Sequence, residues 1–334
     1  MRASLFTNGI RATRDLLTEL CDAGLTDVAF HVDLTQRRKG YQSECALNDL
    51  RRECIERARG LPLSVLFNTT VFDGNAHEVP ELARFFVRHC DVVRLCSFQL
   101  QAATGRGILG SRSSTLVTPD AVSALIREGA GAPIEFGTPG AGHPACNRYA
   151  FTLVVNGHVY DPFPDKAFLA ALLHRTQDLP FERRDRRKLF DTAGRWLLRH
   201  PDVLLRCLPW AAAQAWRMRR DLLAAHGRVG KLSFFIHNFM DAHRLERERI
   251  DACAFMVATR DGPLSMCLHN AKRDEYLLRP IELRGTHKVR FWNPLTGALS
   301  EALPSRIEVQ HTRKTARGRT RRALEAEHRE ATKC

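Results

Sequence analysis

Residues 5–10 read LFTNGI, a short apolar run that stops at Thr7-Asn8-Gly9, with a glycine able to take the positive φ of a sharp exit. That pattern describes a buried strand delivering polar groups to a loop. Three later stretches repeat it. TDVAFHVDL (26–34), LPLSVLFNTTV (61–71) and DVVRLCSFQL (91–100) end in His31 and Asp33, in Asn68-Thr69-Thr70, and in Ser97 with Gln99. Between them lie helical patterns. RATRDLLTELCDAGL (11–25) sets Leu16, Leu17, Leu20 and Cys21 on one face. ECALNDLRRECIERARG (44–60) does so with Leu47, Leu50, Cys54, Ile55 and Ala58, and EVPELARFFVRHC (78–90) with Leu82, Phe85 and Phe86. Strands alternating with single amphipathic helices imply right-handed crossovers and an α/β fold with a parallel, helix-covered sheet. The continuous runs at 28–32, 65–67 and 92–95 predict strands buried on both faces.

In such sheets chemistry collects at the carboxyl ends of the strands. Each polar tip taken singly is ordinary turn chemistry. Four in succession predict a shared binding site.

Composition narrows the class. The 334 residues are 44% hydrophobic and 26% charged, enough to bury a large core and too apolar for a disordered chain. No run approaches the roughly 18 apolar residues of a membrane span, and the charged start lacks a signal-peptide pattern. The reading is therefore a cytoplasmic protein whose ten cysteines are reduced thiols or metal ligands rather than disulfides. The net charge of +14 is uneven: residues 181–231 carry +8 and residues 311–334 carry +5, leaving +1 for the rest.

Taken in order, LFTNGI, HVDLTQ, LFNTTV and VVRLCSFQLQAATGRG resemble the third to sixth strands of radical S-adenosylmethionine enzymes, near the branch that includes cofactor-maturation enzymes and archaeal tetraether lipid synthases. The resemblance covers about residues 3–110, and IHNFMDAHRLERERIDACAFMVATRDGPLSMCLHN (236–270) is similar to the same branch. It implies a partial parallel (β/α) barrel. There an iron-sulfur cluster cleaves S-adenosylmethionine to a radical that abstracts hydrogen from an unactivated carbon of a lipid-like, peptide or small-molecule substrate. Such chemistry needs a dry strand-end cavity. The cofactor would meet Thr7, Asn8, Gly9, Asp33, Asn68, Thr69 and Gln99, with Gly105 and Arg106 in the loop that follows.

The chain departs from the family in one respect. The C-x3-C-x2-C loop and the glycine-rich turn that precede the TNG strand in the family do not occur in it. The expectation is that the first βα units are missing, through an internal start, a truncated gene or a separate polypeptide. The catalytic cluster then lacks its usual ligands, and the opening strand keeps an unpaired edge.

The later segments divide into a hairpin-containing connection (131–180), a basic Trp/Arg helical segment (181–231), an α+β region (232–310) and a basic, disordered tail (311–334), after a truncated barrel over 1–130. PGAGHPACNRYAFTLVVNGHVYDPF (139–163) has an Asn156-Gly157 hairpin turn. Cys253 is followed by eight residues, Gly262, four more and Cys267, one residue short of the C-x9-15-G-x4-C opening of auxiliary-cluster domains. Cys253, Cys267 and Cys146 are candidate ligands of an auxiliary iron-sulfur cluster or of zinc, or else three buried thiols. His237, Asn238 and Asp241 face the substrate or cap a helix. Residues 181–231 suit two helices broken near Pro201 and Pro209, which lie on an anionic membrane surface, bind nucleic acid or cap the barrel mouth. A second function class follows from the missing cysteines: a non-catalytic remnant or accessory protein that binds nucleic acid or a partner through its basic segments.

Overall fold

The structure, a computed structural model, describes residues 3–103, 117–137, 142–179, 186–259, 261–272, 280–285, 288–293 and 297–302. The chain divides into two compact units, Met1–Gln101 with Ser113–Phe239, and Ala102–Arg112 with Met240–Cys334.

The first unit is built on one seven-stranded sheet. Strands β1 (Ala3–Thr7), β2 (Leu25–His31), β3 (Ser64–Val71) and β4 (Val93–Leu100) lie side by side in chain order and parallel, followed by β7 (Gly230–Asn238), also parallel. The hairpin β5 (Asn147–Val155) and β6 (His158–Tyr160) completes the sheet antiparallel to β7. Helices α1 (Arg14–Asp22), α2 (Asn48–Ala58) and α3 (Val79–Arg88) connect successive parallel strands, and α4 (Pro119–Ala130) follows β4. Cap chemistry sets their ends. Thr13 and Thr118 accept the N–H groups of Leu16 and Ala121, and α4 stops at Gly131 with φ +63°.

Parallel strands in chain order place successive crossovers on the same face. The packing agrees: Leu17, Ile55, Phe85, Phe86, Val122 and Ile126 from the four helices share one cluster with Val28, Phe30, Phe67, Phe98, Phe234 and Ile236 of the strands. Phe30, Phe67 and Phe86 run through it at ring separations of 5.6 and 5.4 Å. Helices α3 and α4 approach so closely that a Cβ on Gly129 would fall 2.1 Å from the Pro80 carbonyl oxygen.

The opposite sheet face is covered only in part, which corrects the expectation of strands buried on both faces. Leu66, Leu95 and Asn68 are half-buried and Phe6 is 72% exposed. Leu16 is also turned outward, leaving Leu17 and Cys21 as the buried pair of α1. Over β5, that face receives α5 (Lys166–Thr176) and α7 (Pro201–Ala224), which is preceded by α6 (Arg186–Arg199). Trp210 stacks on Phe163 at 4.9 Å, and Phe163 packs on Phe151. Two boundaries differ from the sequence reading. Residues 232–238 belong to the main sheet as part of β7, because strand pairing outranks sequence neighbourhood. Pro209 lies inside α7 rather than breaking it, while Pro201 starts it, where no N–H is missed.

The second unit has a hairpin, β8 (Met256–Thr259) and β9 (Gly262–Ser265), turned at Asp261-Gly262 as the sequence predicts. It adds short helices α8 (Arg247–Asp251) and α9 (Met266–Ala271) and the sheet β10 (Ile281–Arg284), β11 (Val289–Trp292) and β12 (Leu299–Ser300). The tail 311–334 lies outside the described residues.

Candidate functional site

At the carboxyl ends of β2, β3, β4 and β7, strand register aligns His31 with Asn68, Asn68 with Ser97, Ser97 with Phe235, and Gln99 with His237. Side chains alternate faces along a strand, so these residues share the face opposite α1–α4. They are also bonded to one another. Asn68 Nδ2 donates to Gln99 Oε1 at 3.2 Å and lies 3.1 Å from His31 Nδ1, and His31 Nε2 is 2.8 Å from Asp33 Oδ2. His31 Nε2 thus faces the Asp33 carboxylate, which can accept from an N–H there.

Asp33 anchors this chain from below. Its carboxylate is fully buried and accepts from Thr35 N and Oγ1 at 3.0 and 2.5 Å and from Thr70 N at 2.8 Å. Burial works to raise its pKa, but the His31 hydrogen bond and charge, the Thr35 hydroxyl and the Thr70 N–H together hold it at about 2. A second buried carboxylate braces the same loops. Glu44 accepts from Leu34 N and Asn75 Nδ2 at 2.8 and 3.0 Å and pairs with Arg51 at 2.6 Å, and Arg51 also holds the Val32 carbonyl at 2.6 Å. Burial pushes the Glu44 carboxyl up, against the pull of Arg51.

The unused groups of the cluster define what it can bind. Among the described residues neither Asn68 Oδ1 nor Gln99 Nε2 enters a hydrogen bond with protein. Ser97 is 9% exposed and its buried hydroxyl has no hydrogen-bond partner there. Beside them the rings of Phe235, His237 and Phe239 follow one another at 4.2 and 5.4 Å, the last pair parallel to within 4°. Burial lowers the His237 pKa to about 4, so its ring is neutral at pH 7. The arrangement offers an amide donor, an amide acceptor and a hydroxyl next to aromatic faces, which suits a flat heteroaromatic ligand with a polar edge.

The structure sorts the sequence candidates. Asn68 and Gln99 come together with His31, and Asp33 acts through His31. Thr69 alternates onto the helix-covered face, 1% exposed opposite Phe98. Thr7 and Asn8 serve the local turn, accepting from the N–H groups of Gly9 and Ile10. Gly9 holds φ +77° with its α-carbon against Phe30 and Cys54, so that a Cβ would lie 3.0 Å from the thiol. Gly105 and Arg106 lie outside the described residues. Ser97, named with Gln99 in the polar tip of β4, lies on the same face, and Phe235 and His237 complete it from β7, a strand that the polar-tip pattern does not link.

Among the described residues no three His, Cys, Asp or Glu side chains are arranged to hold a metal ion. Cys21, Cys54 and Cys96 are buried in the apolar core, and burial pushes the Cys96 thiol well up, which disfavours the thiolate a metal needs. Cys146 belongs to the first unit and its carbonyl accepts from Asn238 N at 2.8 Å. In the second unit Cys253 donates to the Phe255 carbonyl at 3.2 Å, and the buried Cys267 sulfur accepts from Met240 N at 3.5 Å. Asp241, expected to cap a helix or face substrate, accepts from Ala103 N at 2.7 Å, and the cap of α8 is Glu246.

A cavity of about 750 Å³ opens at the other end of the sheet, between the starts of β4 and β7 and the β5–β6 turn. Its Arg94 and Arg228 already donate to the carbonyls of Cys90, Asp91 and Ala225, so these guanidiniums are tied to the cavity wall.

Compared with known protein families and with curated proteins, the chain matches none. Among the described residues no helix is long and apolar enough to cross a membrane.

Proposed function

We propose that this chain is a radical S-adenosylmethionine-type protein whose strand-end face holds the adenosyl part of that cofactor, on a partial parallel barrel formed by β1–β4 and their helices. One observation carries the reading: His31, Asn68 and Gln99, from three successive parallel strands, form one bonded row beside the buried Ser97 hydroxyl, which has no hydrogen-bond partner among the described residues. A carboxamide can meet an adenine edge with both a donor and an acceptor. Gln99 and Asn68 would hold the base, Ser97 would receive a ribose or base hydrogen bond, and Asp33 would fix His31 so that Asn68 keeps its orientation. With a reducing cluster supplied, the bound cofactor would provide a carbon radical able to take hydrogen from an unactivated carbon of a lipid-like, peptide or small-molecule substrate. Its cleavage requires an iron-sulfur cluster. The described residues do not fit one, so the reading of this chain rests on cofactor binding alone.

Isothermal titration of the full chain with S-adenosylmethionine tests it. The expected result is one saturable site, weakened about fivefold by Gln99→Ala or Asn68→Ala, the worth of one hydrogen bond. Titration without heat or saturation refutes it.

The net charge of +8 on residues 181–231 favours a second reading. It is an accessory protein that binds nucleic acid or a partner through its basic segments without radical chemistry. Salt-dependent retention on nucleic acid, with no response to S-adenosylmethionine, is its expected behaviour.

A further inference from the structure

A surface helix normally has one apolar stripe, turned to the core. Helix α7 has two. Its inward side carries Val203 and Met218, both buried, and Trp210, which stacks on Phe163 and donates Nε1–H to the Pro162 carbonyl at 2.6 Å. On the opposite side Leu205, Leu208, Ala212, Trp216, Arg219 and Leu223 follow at spacings of three or four. The large apolar members are 68, 55, 69 and 78% exposed. At 1.5 Å per residue the stripe runs about 27 Å, and α6 adds Phe190 and Leu198, 73 and 75% exposed.

The charges beside this stripe are of one sign. Residues 186–224 hold nine Lys/Arg and three Asp/Glu, and all three acids are engaged: Asp191 with Arg195, Asp202 with Arg175, Asp221 with Tyr160. Arg206 and Arg220 are exposed along α7, and the Arg219 guanidinium lies over the Trp216 ring at 4.1 Å. Arginines at the margin of an apolar stripe can keep their heads in water or among phosphates while their stems lie on apolar surface. A second copy of the same face would set these cations against each other. Nucleic acid would meet the arginines and one tryptophan but leave a row of leucines in water.

We propose that α6 and α7 form a peripheral membrane-binding face that lays the Leu205–Leu223 stripe into the interface of an anionic lipid bilayer. It uses residues separate from the strand-end row, and it stands or falls independently of the cofactor reading.

Flotation of the full chain tests it, using vesicles of equimolar phosphatidylcholine and phosphatidylglycerol, vesicles of phosphatidylcholine alone, and anionic vesicles whose acyl chains carry bromine. The expected result is flotation with the anionic vesicles, reduced by salt and by removing the anionic lipid, with tryptophan emission quenched by the brominated chains. The double variant Trp216→Ser, Leu223→Ser should keep the wild-type thermal melt, because both side chains are exposed, and lose at least about tenfold in vesicle affinity. Arg206→Glu with Arg220→Glu should lose the preference for anionic lipid. The proposal is overturned if the wild type stays with the unbound fraction. It is equally overturned if Trp216→Ser, Leu223→Ser floats like the wild type, if that variant instead dissolves a dimer, or if nucleic acid is bound while vesicles are not.

Discussion

Replacing Asp33 with asparagine probes the anchor of the strand-end row. The Asp33 carboxylate has a pKa of about 2 where the ordinary value is 3.8. At about 1.4 kcal/mol per pH unit, its contacts contribute about 2 kcal/mol of stability at neutral pH. The sign follows from the lowered pKa. The unfolded carboxyl takes up a proton first as pH falls, so this contribution is complete above about pH 4 and is lost as pH drops toward 2. The substituted carboxamide would keep one oxygen for Thr35 but turn an NH2 group toward Thr70 N and His31 Nε2, two donors that need an acceptor. The total cost at pH 7 is then about 2–4 kcal/mol. Urea unfolding followed by circular dichroism, at several pH values between 7 and 2, measures both quantities. Asp33→Asn should be less stable at pH 7 and should lack the wild-type loss between pH 4 and 2. Equal stability at pH 7, or parallel loss in both proteins across that window, would refute the reasoning.

Other positions give sharp expectations. Gly129→Ala drives a methyl into the Pro80 carbonyl and should cost more than about 3 kcal/mol, read as a large drop in melting temperature, because backbone rather than side chain must move. Gly9→Ala, at φ +77° and against Cys54, should cost about 1–2 kcal/mol in urea titration. His237, held near pKa 4 by burial against an ordinary 6.5, resists protonation in the fold while the unfolded chain accepts it. Stability should therefore fall by up to about 3 kcal/mol as pH drops from 6.5 to 4, and His237→Phe should remove that slope. Arg51→Met leaves the Glu44 carboxylate buried without its cation and should destabilise the fold by about 3–5 kcal/mol in urea, more than Arg51→Met with Glu44→Gln together.

The order of β1 to β4 and of the helices between them was legible because both signals are local: an apolar run followed by a polar tip, and leucine spacing closed by a glycine. That local pattern also found His31, Asn68 and Gln99, since a strand in register carries its neighbour's tip beside its own. It could not tell Asn68 from Thr69, whose opposite fates depend on pleat phase. Nor could it attach His237 to Gln99, because β7 reaches β4 from more than a hundred residues away, and pairing at that separation leaves no mark on periodicity. The same holds for α7, where composition announced tryptophan and arginine but only the packing shows Trp210 turned inward and Trp216 outward. The continuous apolar strands were misread as doubly covered, since a half-buried Leu66 or Leu95 is as apolar in sequence as a buried one.

The claim that the polar strand tips form one adenosyl-binding face is tested most directly by photocrosslinking the full chain with an 8-azidoadenosyl analogue of S-adenosylmethionine and mapping the labelled peptides by mass spectrometry. The account predicts label within residues 64–71, 93–101 and 230–239, competed away by unlabelled S-adenosylmethionine and diminished by Gln99→Ala. Label confined to other segments, or label that unlabelled cofactor does not displace, would contradict it.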